Sequence, residues 1–189
     1  MELELVNAIM VGSWNPKVFN PKWVKANLFS YKENLEVNGL VNADEVEFGF
    51  QSDGVLLFVR QNTIEIKLNN PKDESGMEKI PFIANKILTL LLHTPVKGVG
   101  FNFKFKIGND EHSDFTKFFR EKTDSYRDMR VSQLRYQSKT EFYTINLIVE
   151  YLNNNINMTS FNFHYPKPII FDNTTLLNHF KFSTQKINL

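Results

Sequence analysis

The sequence predicts an α+β protein of two layers, a mainly antiparallel, curved sheet with helices packed on one face. Three observations predict it. Apolar residues recur with period two in many short runs, clearest where Val99, Phe101, Phe103 and Phe105 alternate with Gly100, Asn102, Lys104 and Lys106. Turn residues such as Ser52-Asp53-Gly54 separate neighbouring runs at hairpin spacing. A β-α-β-β-β-α order read from Glu2 to Thr94 is then repeated from Val96 to about Thr184, which suggests a pseudo-duplication. The 189 residues are expected to form a single domain, 1–189, made of two pseudo-repeats, 1–95 and 96–189.

The first strand is expected over Leu5 to Trp14, where apolar residues of both parities imply cover on both faces. Asn15-Pro16 ends it. Asn20 is placed to cap a helix with Pro21 at its first position, where the missing N–H costs nothing. Trp23, Val24, Leu28 and Phe29 form that helix's apolar side. Asn34 to Asp44 reads as polar and irregular. Three strands follow, through Val46, Phe48 and Phe50, through Val55 to Val59, and through Ile64, Ile66 and Leu68. Asn69 to Lys79 is the most loop-like stretch. A helix from about Pro81 carries Phe82, Ile83, Ile87, Leu88 and Leu90 to Leu92, is apolar nearly all round, and is expected to be central or at an interface. His93-Thr94-Pro95 stops it.

In the second run, the Val99 strand ends at Gly108-Asn109-Asp110, and Ser113 is placed to cap a helix presenting Phe115, Phe118 and Phe119. Strands are expected from Arg130 to Gln137, Phe142 to Leu152 and Met158 to Tyr165. Asp172 or Asn173 then caps a closing helix carrying Leu176, Leu177 and Phe180. This doubled order resembles the TATA-box-binding-protein type of architecture, in which two such halves form one curved antiparallel sheet. The resemblance is of topology alone, so it implies a fold and carries little about function.

Composition excludes several chemistries. With no cysteine, disulfides, thiolate nucleophiles and thiolate zinc sites are absent. The opening Met1 to Leu5 lacks the pattern of a secretion signal, and no apolar run approaches the ~18 residues that cross a bilayer, so a soluble cytoplasmic protein without membrane contact is expected. The net charge of +1 is unevenly spread: residues 1–95 hold 9 Lys/Arg against 12 Asp/Glu, and residues 96–189 hold 13 against 9.

Gly98-Val99-Gly100 begins like a dinucleotide loop, but a strand follows it where phosphate binding needs a helix start. Asp110, Glu111, His112 and Asp114 are the densest set of ligand-type side chains, yet acidic residues before a helix are explained by its dipole. No metal or cofactor is therefore expected. His93, His112, His164 and His179 are scattered. His164 shares a parity with Asn162, opposite to Phe161, Phe163 and Tyr165, and both are expected on the open face of the sheet.

A basic interval interleaved with aromatic residues offers nucleic-acid contacts through Arg120, Arg127, Arg130, Arg135, Lys139 and Tyr136, since phosphates need clustered cations and single strands need stacking platforms. The leading expectation is a non-catalytic intracellular binding module. It would recognise a protein partner, or a second copy of itself, through the open sheet face or the loops at Asn34 to Asp44 and Asn69 to Lys79. The alternatives are a nucleic-acid-binding protein using the basic second half, and a small-substrate enzyme using His164 and a carboxylate in the groove between halves.

Overall fold

A computed structural model describes residues 1–29, 34–41, 46–107, 133–152, 155–167 and 169–187. It is an α+β protein with a nine-stranded antiparallel sheet and three α-helices among those residues. The strands are β1 (Glu2–Gly12), β2 (Glu36–Val41), β3 (Val46–Ser52), β4 (Val55–Val59), β5 (Thr63–Leu68), β6 (Val96–Lys106), β7 (Gln133–Lys139), β8 (Thr144–Leu152) and β9 (Asn155–Tyr165). The helices are α1 (Pro21–Asn27), α2 (Lys79–Leu90) and α3 (Thr175–Ile187). Across the sheet the order is β2-β3-β4-β5-β1-β6-β9-β8-β7, with β1 and β6 paired antiparallel at the centre.

Local chemistry accounts for most of the boundaries. Asn20 caps α1 by accepting from the Trp23 N–H at 3.0 Å, with Pro21 at the first helical position. Asp53 and Gly54 both have positive φ, 51° and 72°, so the β3–β4 hairpin turns in the mirror-image geometry that matches strand twist. The Lys79 ammonium, at the start of α2, donates to the Asp53 carbonyl at 2.9 Å and ties this hairpin to the helix. Before α3, the Asp172 carboxylate accepts from the Thr174 N–H at 2.7 Å and from its hydroxyl at 2.6 Å.

The core lies on the face of the sheet that α2 and α3 cover. Val6, Ala8 and Met10 on β1, Phe101, Phe103 and Phe105 on β6, and Phe161, Phe163 and Tyr165 on β9 all point there and are buried. Ile80, Ile83, Ala84 and Ile87 of α2 and Leu176 of α3 close it from above. Period two in these strands therefore records a single buried face. Thr159, on the same face of β9, is wholly buried and its hydroxyl finds no hydrogen-bond partner among the described residues. Thr159→Val should raise stability by about 1 kcal/mol by removing that unpaired group at nearly constant shape. Urea denaturation of the two proteins checks this, and a loss of stability would contradict it.

Three expectations are corrected. Residues 36–41, expected as irregular, form β2, an edge strand in full register with β3 from Glu36↔Gln51 to Val41↔Val46. The ladder of a neighbouring strand overrides the weak intrinsic preference of Glu-Val-Asn-Gly-Leu-Val. The first half thus holds five strands, one more than the β-α-β-β-β-α reading allows. The second correction concerns α2, which is not covered on every side: Leu90 and Leu92 are exposed, and the chain leaves the helix at Leu91. Thirdly, Phe142 lies in the turn before β8 and is 67% exposed. The expected helix at Ser113 to Phe119 and the acidic set at Asp110 to Asp114 fall outside the described residues.

Candidate functional site

The face of the sheet away from α2 and α3 carries a feature that no single strand reveals. Registers place Gln137 opposite Asn146, Asn146 opposite Asn162, Asn162 opposite Asn102, and Asn102 opposite Asn7. All five are on the non-core parity of their strands. They form one continuous chain of side-chain hydrogen bonds. Gln137 Nε2 donates to Asn146 Oδ1 at 2.9 Å, Asn146 Nδ2 to Asn162 Oδ1 at 2.9 Å, and Asn162 Nδ2 to Asn102 Oδ1 at 2.7 Å. Asn102 Nδ2 then donates to Asn7 Oδ1 at 2.8 Å, and Asn7 Nδ2 to Glu65 Oε1 at 2.6 Å.

Glu65 sets the direction of the row. An ionised carboxylate only accepts, so Asn7 must turn its NH2 toward Glu65 and its oxygen toward Asn102, and the same choice passes along every amide to Gln137. The last bond is charge-assisted and short, as expected for an amide meeting an anion. Beyond Glu65 the line continues through charges. Arg60 Nη1 lies 3.8 Å from Glu65 Oε2, and Arg60 Nε donates to Glu47 Oε2 at 2.5 Å. The amide chain links six strands, from β7 to β5, and crosses the central β1–β6 pair.

Two glycines make room for it. A Cβ at Gly100 would stand 2.8 Å from Asn162 Nδ2, and one at Gly98 would stand 2.9 Å both from His164 Cε1 and from the Tyr165 carbonyl oxygen. Gly98 and Gly100 therefore let the Asn162 and His164 side chains lie flat across β6. That is the structural role of a pair which superficially begins like a dinucleotide loop.

His164 is half-buried, opposite Gly100 on β6 and Thr144 on β8. No carboxylate contacts it among the described residues, and no group of three potential metal-binding side chains occurs among them. The acid-base pairing expected for an enzyme is thus not formed at His164 by the described residues. Of the basic candidates, Arg120, Arg127 and Arg130 lie outside the described residues. Arg135 and Lys139 share the parity of Gln137 and so belong to the face with the amide row, with Arg135 Nε donating to Gln133 at 2.9 Å. Tyr136 points the opposite way, opposite Leu147, so it cannot stack a base beside those cations.

On the helix side, His179 of α3 is the buried titratable group. Its ring stacks on Phe163 at 3.9 Å between centroids, and Nε2 lies 2.7 Å from the Tyr165 hydroxyl. Burial lowers its pKa to about 4 and raises that of Tyr165, so a neutral imidazole and a neutral phenol share this hydrogen bond. This pair is an internal packing device, enclosed by Phe101, Tyr143 and Phe171. Sequence reasoning selected Asn162 and His164 by parity but missed Asn7, Asn102, Asn146 and Gln137, whose only signal was a polar amide at a non-core position of each strand. No helix of the described residues is long and apolar enough to cross a membrane. Neither a protein-family model nor a curated protein matches this chain.

Proposed function

We propose that the chain is a non-catalytic binding module, working inside the cell, that recognises a macromolecular partner across the face carrying the amide row. The row is the observation that supports this reading. Five carboxamides each spend one donor on a neighbour and the four asparagines one acceptor. Asn7 is buried, and Asn102 also donates to the Gly100 carbonyl at 3.4 Å. It is therefore the half-buried Asn146 and Asn162 and the exposed Gln137 that keep further N–H groups and lone pairs for a ligand. Six strands at about 4.8 Å spacing make the row roughly 24 Å long, more than a small substrate would span. Its members are uncharged and held in register by the sheet, as a site that positions polar groups requires.

The two-repeat reading with a TATA-box-binding-protein-like topology belongs to the same proposal. It is supported by the central β1–β6 pair, from which β5, β4, β3 and β2 run outward on one side and β9, β8 and β7 on the other. The test is affinity capture from cytoplasmic extract with the native chain and with Asn102→Leu/Asn162→Leu, both shown folded by circular dichroism. A partner held by the native chain and lost from the double variant is the expected result. Equal recovery by both, or no partner for either, would overturn the proposal.

Nucleic acid is the second reading, favoured by Arg135, Lys139, Lys104 and Lys106 on the same face. Lys104 is partly neutralised by Glu150 at 3.7 Å. Oligonucleotide binding that weakens steeply with salt would support it, and no binding at low salt would remove it.

A further inference from the structure

We propose that the helix-side cavity between α3 and strands β7–β8 is a binding site for an amphipathic carboxylate with an extended apolar body. The cavity is about 620 Å³ in volume, within the ~300–1,000 Å³ of small-molecule sites. Its walls are apolar and aromatic, supplied by Ile145 and Leu147 of β8, Phe161 of β9, Phe182 of α3, and the rings of Tyr136 and Tyr143. Such walls suit an apolar body better than a sugar or nucleotide, whose many polar groups would lose water and meet few partners, Gln137, Ser138 and Thr140 lying along one wall only.

One feature selects an anion for the polar end. Among the described residues, Lys186 is the sole charged residue lining the cavity, and none of the described carboxylates lines it. Its ammonium sits 5.6 Å from the centroid of the Phe182 ring, a wall of the cavity, so the cation is held beside the apolar space. Ser138 lines the same cavity and adds a hydroxyl donor. Lys186 makes no ion pair among the described residues. A fatty-acid-like ligand would bury its chain against Leu147 and Phe161 and bring its carboxylate to Lys186. The site lies on the opposite side of the sheet from the amide row, so it goes beyond the proposed binding face and fails or stands independently of it.

The test uses laurate as the probe, dodecanol as its uncharged counterpart, and isothermal titration calorimetry of the full chain. Saturable binding of laurate with one site is expected, together with weaker binding of dodecanol. Lys186→Met keeps the stem and removes the charge on an exposed helix end. It should weaken laurate about two- to fivefold and leave dodecanol unchanged, the size of one lost exposed charge contact. Leu147→Phe, folded by circular dichroism, should weaken both by crowding the space against which the chain packs. No saturable laurate binding by the native chain would overturn the proposal, as would equal laurate affinity in Lys186→Met, or undiminished binding in Leu147→Phe. If Leu147→Phe does not fold, Ile145→Phe provides the same steric test.

Discussion

Phe163→Ala should lower the unfolding free energy by about 3–5 kcal/mol, as expected for truncating a buried phenylalanine in a site that cannot collapse around the gap. Phe163 sits near the C-terminal end of β9, between Phe101 on β6 and Ile145 on β8, and is 0% exposed. Its ring meets Phe103 edge-on at 6.0 Å, Tyr143 at 5.9 Å and Phe182 at 5.9 Å, and it is the surface on which His179 lies. Removing it takes away both a large apolar area and the platform that seats α3. Urea denaturation monitored by circular dichroism measures the change. Phe58→Ala is the contrasting case, because that ring is only half-buried and its strand position faces away from the core. It should cost about 1 kcal/mol, toward the lower end for point substitutions. Losses of similar size in the two variants would refute the account of the core given above.

Acid should destabilise the protein as the pH falls below about 6.5, and His179 is the cause. Burial holds its pKa at about 4 in the folded state, against an ordinary value near 6.5. Between those values the unfolded chain binds a proton that the folded chain refuses. Stability is therefore complete above pH ~6.5 and falls as the pH drops toward ~4, by up to about 3 kcal/mol. Among the described residues, the groups facing the imidazole are the Tyr165 hydroxyl and the rings of Phe163, Tyr143 and Phe101, none of which supplies a compensating negative charge. The Asp172 carboxyl, beside α3, is held below its usual range by hydrogen bonds from the Thr174 hydroxyl and amide. It therefore titrates below this window. Thermal unfolding from pH 7.5 to 4.5 should show the decline, and His179→Gln, which keeps a hydrogen-bonding partner for Tyr165, should flatten it. An unchanged slope in the variant would show that another group is responsible.

Much of this architecture was legible in the sequence because its causes are local. Asn20-Pro21 marks the start of α1 by side-chain capping, and Asp53-Gly54 marks a hairpin because both residues adopt positive φ at modest cost. The phenylalanine alternation of β6 predicts its buried face directly. β2 was hidden for the opposite reason: nothing in residues 36–41 favours a strand until β3 offers its edge. The amide row was invisible for a further reason. Asn7 and Asn102 are 95 residues apart in sequence, and Asn102 and Asn162 are 60 apart, so their meeting depends on strand order and register. Tyr136 is the one misplacement that alternation could have caught. Leu134 and Tyr136 share one parity while Arg135, Gln137 and Lys139 share the other.

Because Glu65 dictates which way all five amides point, the row is a compass needle lying across the sheet. Its β5 end is tied to a carboxylate and its β7 end finishes on the donor Gln137, whose own carbonyl accepts nothing among the described residues and can meet an incoming N–H. A ligand laid along it meets the same carboxamides in one order only, with their dipoles all leaning one way. Such a surface can tell the front of a polymer from its back.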